Sequence, residues 1–395
     1  MIASLNPIAL RTAEEAQHIA EWMHDVPSPS FVLEENKLRQ NLELMARVQA
    51  ESGAKIILAL KGFAQWSVFP LVRQFLPGAT ASSLYELRLS AEEFGGENHI
   101  YSAGYRADEF DEIAGLADHL VFNSVGQLDR FGDTARANGA SVGLRVNPGV
   151  SEVEFELYNP CRAGSRLGTR PEFIDDDVFD RIDGIHAHAL CESDVDATLR
   201  LMEALEANFS HVLHKMRWVN LGGGHLMTRP GYDVDTLIDG LRAFRERWDV
   251  ELYLEPGSAV ALNTGVLVAT VLDIVDTELD PVAILDISAT AHMPDVLEQP
   301  YRPEVVGGLM PGIGNHTYRL GGGSCLAGDA IGEYSFVSPL EIGDRLVFED
   351  QMHYTMVKTT MFNGVNHPAI VVQRESGELD VVRTFTYEDF RDRLS

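Results

Sequence analysis

The stretch Lys55-Ile-Ile-Leu-Ala-Leu-Lys61-Gly62-Phe63 is an apolar run that ends in a lysine and a glycine. A short run of this kind, rich in Ile, Leu and Ala, predicts a strand that is buried on both faces. A lysine at the end of such a strand can lie in a partly desolvated site, which lowers the pKa of the ammonium group and frees the neutral amine to attack a carbonyl. Lys61 is therefore a candidate Schiff-base lysine, although a lysine that caps a strand and faces water is the commoner case.

Seven further apolar runs follow this one, and helical patterns separate them. The eight runs occupy residues 55–60, 79–83, 99–103, 119–123, 142–147, 184–190, 218–221 and 251–255. Between the runs, apolar residues recur every three or four positions, most clearly over residues 84–94, 110–117, 197–216 and 234–248. Strand alternating with helix eight times predicts a (β/α)8 barrel, the TIM-barrel fold.

The carboxyl ends of these runs are polar or rich in glycine. Active sites of such barrels lie at the face formed by the carboxyl ends of the strands. Any one polar end could simply terminate a strand, but polar ends on all eight runs favour an active site at this face. The residues at the ends are Lys61, Ser82-Ser83, Ser102, Asn123-Ser124, Asn147, His188, Gly222-Gly223-Gly224 and Glu255-Pro256-Gly257.

The pattern changes after about residue 265. Strand-like runs at residues 266–274, 282–287, 345–348, 369–372 and 379–382 follow one another with little helical periodicity, which predicts a β domain, a sandwich or barrel. Residues 28–33 predict one more strand ahead of a helix at 35–51. We therefore expect an N-terminal segment and strand (1–30) that joins the β domain, a barrel domain (31–265) and a C-terminal β domain (266–395).

Composition narrows the class of partner. The chain has 395 residues, of which 45% are hydrophobic, and a formal net charge of −29. That charge argues against nucleic acid as a partner and weakly favours a cationic small molecule, although solubility alone explains the charge as well.

No stretch approaches the ~20 apolar residues of a membrane span, and the N-terminus lacks the pattern of a signal peptide. Three cysteines are too few for a disulfide framework, so we expect a cytoplasmic protein.

Three of the strand ends suggest particular chemistry. The backbone N–H groups of Gly222-Gly223-Gly224 can form an anion-binding concavity suited to a phosphate, although a tight turn would also explain three glycines. The carboxylate of Glu255 can keep a pyridine nitrogen protonated, or can be a surface acid before a turn. His186 and His188 lie on one face of the sixth strand, where they can be a metal pair, an imidazole stacked on a cofactor, or ordinary core histidines.

The predicted β domain contains a second group of candidate residues. Gly321-Gly-Gly-Ser324-Cys325-Leu-Ala-Gly328-Asp329 is a glycine-lined loop that presents a thiol and an acid. Cysteine is usually buried and inert, but in a glycine-rich loop it is more often accessible.

Taken together, these residues resemble the fold-type III pyridoxal-phosphate decarboxylases, the ornithine and diaminopimelate decarboxylase superfamily, over nearly the whole chain. The resemblance implies an alanine racemase-like barrel with pyridoxal phosphate on Lys61, no metal, and a homodimer with shared active sites. It implies cofactor contacts from His188, Arg145, Gly222, Gly223, Gly224, Glu255, Gly257 and Tyr354, a charged pair formed by Glu86 and Arg145 near the lysine, and a catalytic Cys325 donated by the partner subunit.

Within that superfamily, four strings resemble the branch that decarboxylates carboxynorspermidine and carboxyspermidine. They are Tyr158-Asn-Pro-Cys161 with Gly164-Ser-Arg-Leu-Gly168, His188-Ala-Leu-Cys191-Glu192, His292-Met-Pro-Asp295-Val-Leu-Glu298 and Ser324-Cys-Leu-Ala-Gly-Asp329. The chain also departs from the ornithine and diaminopimelate enzymes at two positions: Cys191 stands where those enzymes have a serine, and Ser258 stands where many of them have a phosphate-binding arginine. Leu326 stands where those enzymes have an acidic residue, which argues against their substrates.

The resemblance predicts decarboxylation of carboxynorspermidine or carboxyspermidine to norspermidine or spermidine. Candidate residues for binding this cationic, polyamine-type substrate are His292, Asp295, Glu298 and Asp329. The alternative is another basic amino acid decarboxylase of the same fold, for ornithine, lysine, arginine or diaminopimelate. A racemase, a metal-dependent hydrolase using His186 and His188, and a non-catalytic cofactor carrier are more distant alternatives; Glu255 argues against the racemase, and the β domain argues against the carrier.

Overall fold

The computed structural model describes residues 11–153 and 159–395. The described chain forms two compact units, one from the residues up to Leu38 together with Ala261–Ser395, and one from Arg39–Val260. The domain limits expected at residues 30 and 265 stay predictions. No helix in the described parts of the chain is both long enough and apolar enough to cross a membrane.

The strands and helices are numbered in chain order. The strands are β1 (Ser30–Glu34), β2 (Lys55–Ile56), β3 (Leu58–Ala59), β4 (Gly78–Ala81), β5 (Glu97–Tyr101), β6 (His119–Phe122), β7 (Ser141–Arg145), β8 (Gly184–His186), β9 (Trp218–Asn220), β10 (Glu251–Leu254), β11 (Gly265–Val275), β12 (Val282–Leu285), β13 (His316–Gly321), β14 (Ala330–Phe336), β15 (Arg345–Glu349), β16 (Ala369–Gln373) and β17 (Leu379–Arg383). The helices are α1 (Ala13–Trp22), α2 (Glu35–Ser52), α3 (Phe69–Val72), α4 (Leu84–Leu89), α5 (Phe110–Leu116), α6 (Val125–Ala137), α7 (Val195–Leu213), α8 (Val234–Trp248), α9 (Ser258–Ala261), α10 (Ala289–His292), α11 (Asp295–Glu298) and α12 (Tyr387–Asp392).

The second unit is a parallel barrel, as the spacing of apolar runs predicted. Its strands pair in the order β2-β10-β9-β8-β7-β6-β5-β4-β3. β2 and β3 are two halves of the run quoted first; one half pairs with β10 and the other with β4, so this single run closes the barrel. Every run predicted in this region contains a strand, and each strand ends before the polar residues, which are left in the loops that follow.

Aromatic side chains fill the barrel interior. Ile57, Val121, Trp218 and Tyr253 form one buried cluster. A Cβ atom at Gly184 would lie 2.0 Å from the ring of Trp218, so the small residue on β8 makes room for the indole on β9. Large and small residues on neighbouring strands therefore complement each other in the core.

A polar cluster lies where the barrel strands begin. Glu97, the first residue of β5, accepts hydrogen bonds from Lys55 (2.7 Å) and Tyr253 (3.1 Å) and lies 3.3 Å from His99. The His99 ring stacks on His119 with centroids 4.1 Å apart and planes 3° from parallel. Glu97, His99 and His119 are close enough to be considered as metal ligands. However, lone pairs of parallel stacked imidazoles do not converge on one ion, and the Lys55 ammonium already neutralises the carboxylate.

The first unit is built on a mixed sheet in the order β14-β13-β12-β11-β1-β16-β17, with β15 pairing with β11. β1 lies between β11, to which it is antiparallel, and β16, to which it is parallel. The side chains of β1 are buried along its whole length, in keeping with its Phe-Val-Leu centre. The predicted barrel with a separate β-sheet domain is confirmed.

Sequence patterns missed β13, β14, α1 and α6. In β13 and β14, charged residues and glycine interrupt the alternation of polar and apolar residues that marks a strand. These strands form because they pair with each other along their whole length, which supplies the stability that local sequence preference lacks. For α1, the missed signal is local: Thr12 and Glu15 form a capping box at its start.

Candidate active site

Lys61 lies two residues beyond the end of β3, beside His188, which lies two residues beyond the end of β8. The Lys61 Nζ and His188 Nε2 atoms are 3.3 Å apart, and both side chains are half-buried. Burial and the nearby Arg145 guanidinium lower the pKa of Lys61, while burial and Lys61 itself hold the pKa of His188 well below its ordinary value. Both groups are therefore biased toward their neutral forms, and a neutral amine is what a lysine nucleophile requires.

The carboxylate of Glu255 follows β10 and has a donor on each oxygen. Asn220 Nδ2 donates to Oε1 at 2.8 Å, and His186 Nε2 lies 3.3 Å from Oε2. Burial alone would raise the pKa of this carboxyl, but the His186 imidazole and Asn220 amide bring it to about 2. Glu255 is thus a buried anion with a donor on each oxygen, a group that can pair with a protonated ring nitrogen.

Arg145, the last residue of β7, is buried and organises the strand ends beside it. Its Nη2 donates to the main-chain oxygen of His188 at 2.9 Å, and its guanidinium lies 4.5 Å from the centre of the Tyr101 ring. Glu86 accepts a hydrogen bond from the Ser82 N–H at 2.6 Å, and burial raises its pKa although Lys61 opposes this. The charges of Arg145 and Glu86 therefore act on Lys61 with opposite sign.

The glycine loops leave a cradle that side chains would fill. A Cβ atom at Gly222 would lie 2.5 Å from the His188 Cβ, and one at Gly223 would lie 2.4 Å from the Glu255 carbonyl oxygen. Gly62 and Gly257 pack backbone to backbone, since a Cβ at Gly62 would lie 2.7 Å from the Gly257 Cα. A nucleophilic lysine, a flat imidazole, a buried carboxylate and bare backbone loops fit pyridoxal phosphate.

The loop that carries Cys325 belongs to the other unit and is held by Asp329. The Asp329 Oδ2 accepts from Ser324 Oγ at 2.6 Å and from the Ser324 N–H at 3.2 Å, and its Oδ1 accepts from the Thr290 N–H at 3.3 Å. The Cys325 N–H donates to Asn363 Oδ1 at 2.7 Å, and its side chain is exposed. These contacts show Asp329 as the organiser of a loop that presents the thiol.

The acids of α11 have a partner that the sequence did not reveal. Lys358 donates to Asp295 Oδ1 and, at 3.0 Å, to Glu298 Oε2. These two carboxylates hold the pKa of Lys358 above its ordinary value, although partial burial opposes this. His292 is fully buried, and burial lowers its pKa to about 4. The acids expected to bind a substrate cation are thus paired with a cation of the chain itself.

The structure brings one part of the predicted site together. Lys61, Arg145, His188, Glu255 and the glycine loops all lie at the carboxyl ends of the barrel strands. Cys325, Asp329, His292, the acids of α11 and Tyr354 all belong to the other unit. Tyr158, from the Tyr-Asn-Pro-Cys string, lies outside the described residues.

Two functional neighbours were missed from the sequence. Asn220 supports Glu255 and also accepts the Gly222 N–H at 2.8 Å; its position two residues before a glycine loop was the available signal. Lys358 follows closely on Tyr354, but no spacing in the sequence connects it with residues 295 and 298. His186 and His188, considered as a metal pair, contact different partners, Glu255 and Gly223 respectively.

Comparisons with known proteins cover most of the chain. A family model described as pyridoxal-dependent decarboxylase, C-terminal sheet domain, matches residues 30–351 of this chain. The chain is 51% identical to the carboxyaminopropylagmatine decarboxylase of Synechocystis sp., covering 94% of this chain and 96% of that protein. It is 43% identical to the carboxynorspermidine/carboxyspermidine decarboxylase of Campylobacter jejuni, covering 92% and 98% respectively.

A crystal structure of carboxynorspermidine decarboxylase from Campylobacter jejuni, complexed with norspermidine, matches the fold with a TM-score of 0.87 and 41% identity, over 93% of this chain and 100% of that chain. The resemblance inferred from the strings of motif residues is confirmed, as are the decarboxylase class and the pyridoxal phosphate cofactor. The chain belongs to the pyridoxal-dependent decarboxylase family.

Proposed function

We propose that this decarboxylase removes the α-carboxylate of carboxynorspermidine or carboxyspermidine, releasing norspermidine or spermidine in polyamine biosynthesis. The observation that carries the proposal is the likeness, at a TM-score of 0.87 and over 93% of the chain, to a carboxynorspermidine decarboxylase that binds norspermidine. A second carboxynorspermidine/carboxyspermidine decarboxylase, from Herminiimonas arsenicoxydans, is 40% identical over 94% of this chain.

The barrel residues have separate roles in this proposal. Lys61 Nζ would hold the cofactor, and its lowered pKa favours the neutral amine that this requires. The His188 ring, whose Nε2 lies 3.3 Å from Lys61 Nζ, would hold the cofactor ring, and the glycine loops would hold its phosphate. When bound, pyridoxal phosphate supplies an electron sink for the carbon that loses carbon dioxide. Glu255, held as an anion by Asn220 and His186, keeps the proton at the ring nitrogen.

We propose that Cys325 returns a proton to that carbon and that it comes from a second subunit. Its exposed thiol lies on a loop held by Asp329, so the loop keeps its shape while the thiol stays accessible. The active protein in this proposal is a homodimer in which each barrel uses the Cys325 loop of the partner. Isologous association places two equivalent sites about one two-fold axis.

Asp295 and Glu298 are the residues we propose for the distal cation of the substrate. They lie on one turn of α11 and share the Lys358 ammonium, so their geometry already accommodates a positive nitrogen. Tyr354 and Arg145 complete the cofactor contacts proposed from the family resemblance. We propose that His292 and Asp329 hold the substrate-binding region in place. The His292 side chain is buried, and the Asp329 carboxylate accepts hydrogen bonds from its own loop.

A second candidate substrate is carboxyaminopropylagmatine. The observation that favours it is the identity of 51% with the Synechocystis decarboxylase of that name, against 43% and 40% for the two carboxynorspermidine/carboxyspermidine enzymes. The three substrates share a carboxyaminopropyl group and differ in the distal end, which is a guanidinium in agmatine and an ammonium in the others. A planar guanidinium can bind a carboxylate through two parallel hydrogen bonds, whereas an ammonium binds as a point charge.

The test is a decarboxylation panel. Release of carbon dioxide is measured from carboxynorspermidine, carboxyspermidine, carboxyaminopropylagmatine, ornithine, lysine, arginine and diaminopimelate, and the kcat/KM values are compared. We expect at least ~100-fold preference for a carboxyaminopropyl substrate over ornithine, because a short substrate cannot place a distal cation at the carboxylates of Asp295 and Glu298. Highest activity on carboxyaminopropylagmatine selects the second candidate, and equal rates on ornithine contradict both.

A further inference from the structure

We propose that His186 is a positioning residue of the reaction: it donates a hydrogen bond to Glu255 that keeps the carboxylate ionised, so that the catalytic proton stays on the cofactor ring nitrogen. This inference rests on the proposed role of Glu255. His186 acts through Glu255 in this proposal and needs no contact with substrate or cofactor.

The geometry gives Glu255 one donor for each oxygen. His186, the last residue of β8, is 1% exposed, and its Nε2 lies 3.3 Å from Oε2 while Asn220 covers Oε1 at 2.8 Å. A buried carboxylate that lacks donors becomes more basic, because burial disfavours the charged form. Without His186, Glu255 would therefore compete with the ring nitrogen for the same proton.

The tautomer of His186 follows from its two nitrogen atoms. Nδ1 is buried and has no hydrogen-bond partner among the described residues. A buried N–H donor without an acceptor is disfavoured, so the single proton of the neutral ring lies on Nε2 and points at Glu255. Burial lowers the pKa of His186 and the Arg145 guanidinium lowers it further, although Glu255 opposes this. His186 therefore supplies a hydrogen bond without taking or giving up a proton.

Neighbouring rings hold the imidazole in this orientation. The His186 ring stacks on Tyr101, with centroids 5.4 Å apart and planes 20° from parallel, and the Arg145 guanidinium covers Tyr101. Tyr101 is itself tied by its hydroxyl, which donates to Asn123 Oδ1 at 2.7 Å. The stack from Arg145 through Tyr101 to His186 fixes the direction of the Nε2–H bond.

The experiment uses holoenzyme reconstituted with pyridoxal phosphate that carries 15N in the ring, because the nitrogen resonance reports directly whether that atom is protonated. We expect a pyridinium signal in the wild type and a shift toward neutral pyridine in His186→Leu, with kcat lowered about tenfold while cofactor affinity is kept. His186→Gln retains an N–H donor and should restore most of the pyridinium signal. His119→Leu, which removes a barrel imidazole from the opposite strand ends, should leave the signal unchanged.

The Glu255→Gln holoenzyme separates this proposal from the one it rests on. A ring nitrogen that stays protonated in Glu255→Gln overturns the roles of both residues. A ring nitrogen that loses its proton in Glu255→Gln but keeps it in His186→Leu overturns only the role of His186.

The imidazole itself gives a test that does not depend on the leucine variant folding. In wild-type holoenzyme with 15N-labelled histidine, assigned by comparison with His186→Gln, the His186 resonances should show the neutral Nε2–H form at neutral pH. A cationic ring or the Nδ1–H form would overturn the proposal.

Discussion

Lys61 owes its predicted reactivity to its surroundings and not to lysine chemistry alone. The side chain lies 3.3 Å from a neutral imidazole, and burial and the Arg145 guanidinium both disfavour its charged form. An ordinary lysine stays protonated at neutral pH, so this lowered pKa is what makes a neutral nucleophile available.

At the residue scale, we predict that borohydride reduction of the holoenzyme attaches the cofactor to Lys61 and that Lys61→Ala abolishes the labelling. Peptide mapping by mass spectrometry identifies the modified lysine. Lys55 and Lys358 are internal controls, because the ammonium group of each is engaged in ion pairs with carboxylates. A label on either of them in the wild type would contradict the assignment.

At the element scale, one turn of helix α11 presents two acids to one lysine. Lys358 pairs with both Asp295 and Glu298, which leaves the group of three with a single net negative charge. A substrate or product cation that binds these acids must share them with Lys358 or displace it. If these acids bind the substrate as proposed, the lysine would weaken polyamine binding and speed release of the product.

We predict that Lys358→Met lowers the inhibition constant of norspermidine and spermidine about three- to fivefold, the size expected for one partly exposed ion pair. The effect should shrink as salt is raised, because salt screens exposed charges. Product-inhibition kinetics at two ionic strengths measure both changes. Lys215→Met, which removes an exposed lysine paired with Asp180 in the barrel unit, is the matched control. An inhibition constant that rises or stays constant in Lys358→Met would contradict the interpretation.

The starts of strands β2, β5 and β10 give a second prediction at this scale. Glu97 has its pKa lowered to about 2, first by the hydrogen bond to His99 and also by Lys55, against the effect of burial. Since this pKa lies below that of an unfolded glutamate, the stabilisation is present above about pH 4.5 and is lost as the pH falls toward 2.

We therefore expect Glu97→Gln to reduce the free energy of unfolding by roughly 1–3 kcal/mol at pH 7 and by less than half as much at pH 3. Urea denaturation at both pH values measures the difference. Glu112→Gln removes a carboxylate that pairs with Arg88 on the exposed surface, and its effect should be small at either pH. A Glu97→Gln effect independent of pH would mean that the carboxylate charge does not stabilise the barrel.

At the scale of the whole molecule, the two units carry different halves of the proposed chemistry. Lys61, His188 and Glu255 belong to the barrel unit, and Cys325 to the other. If each barrel uses the Cys325 loop of the partner, then a dimer of two different inactive subunits can contain one intact site.

We predict that mixing Lys61→Ala subunits with Cys325→Ala subunits restores activity. Random exchange makes about half of the dimers mixed, and each mixed dimer has one site with both substitutions and one with neither, so roughly a quarter of all sites recover. Native mass spectrometry verifies that exchange has occurred. Exchange without recovery would place Lys61 and Cys325 of the same subunit in one site, or would show that Cys325 is not catalytic.

The sequence by itself determined the barrel, its catalytic face and the residues at the strand ends. Buried parallel strands read as apolar runs, and the residue after each run lies at the active face, so both features follow from local order along the chain. Lys61, His188 and Glu255 could be identified in this way, and the separate sheet unit was visible where helical periodicity stopped.

Only the tertiary structure decided which side chains meet. Asn220 and His186 converge on Glu255 from two neighbouring strands, Lys358 reaches acids sixty residues earlier in the chain, and β1 enters the sheet between strands from the far end of the sequence. These contacts join residues that no periodicity links. Their existence depends on strand register and packing, and the charge states of Glu255 and Lys61 depend in turn on burial that exists only in the folded chain.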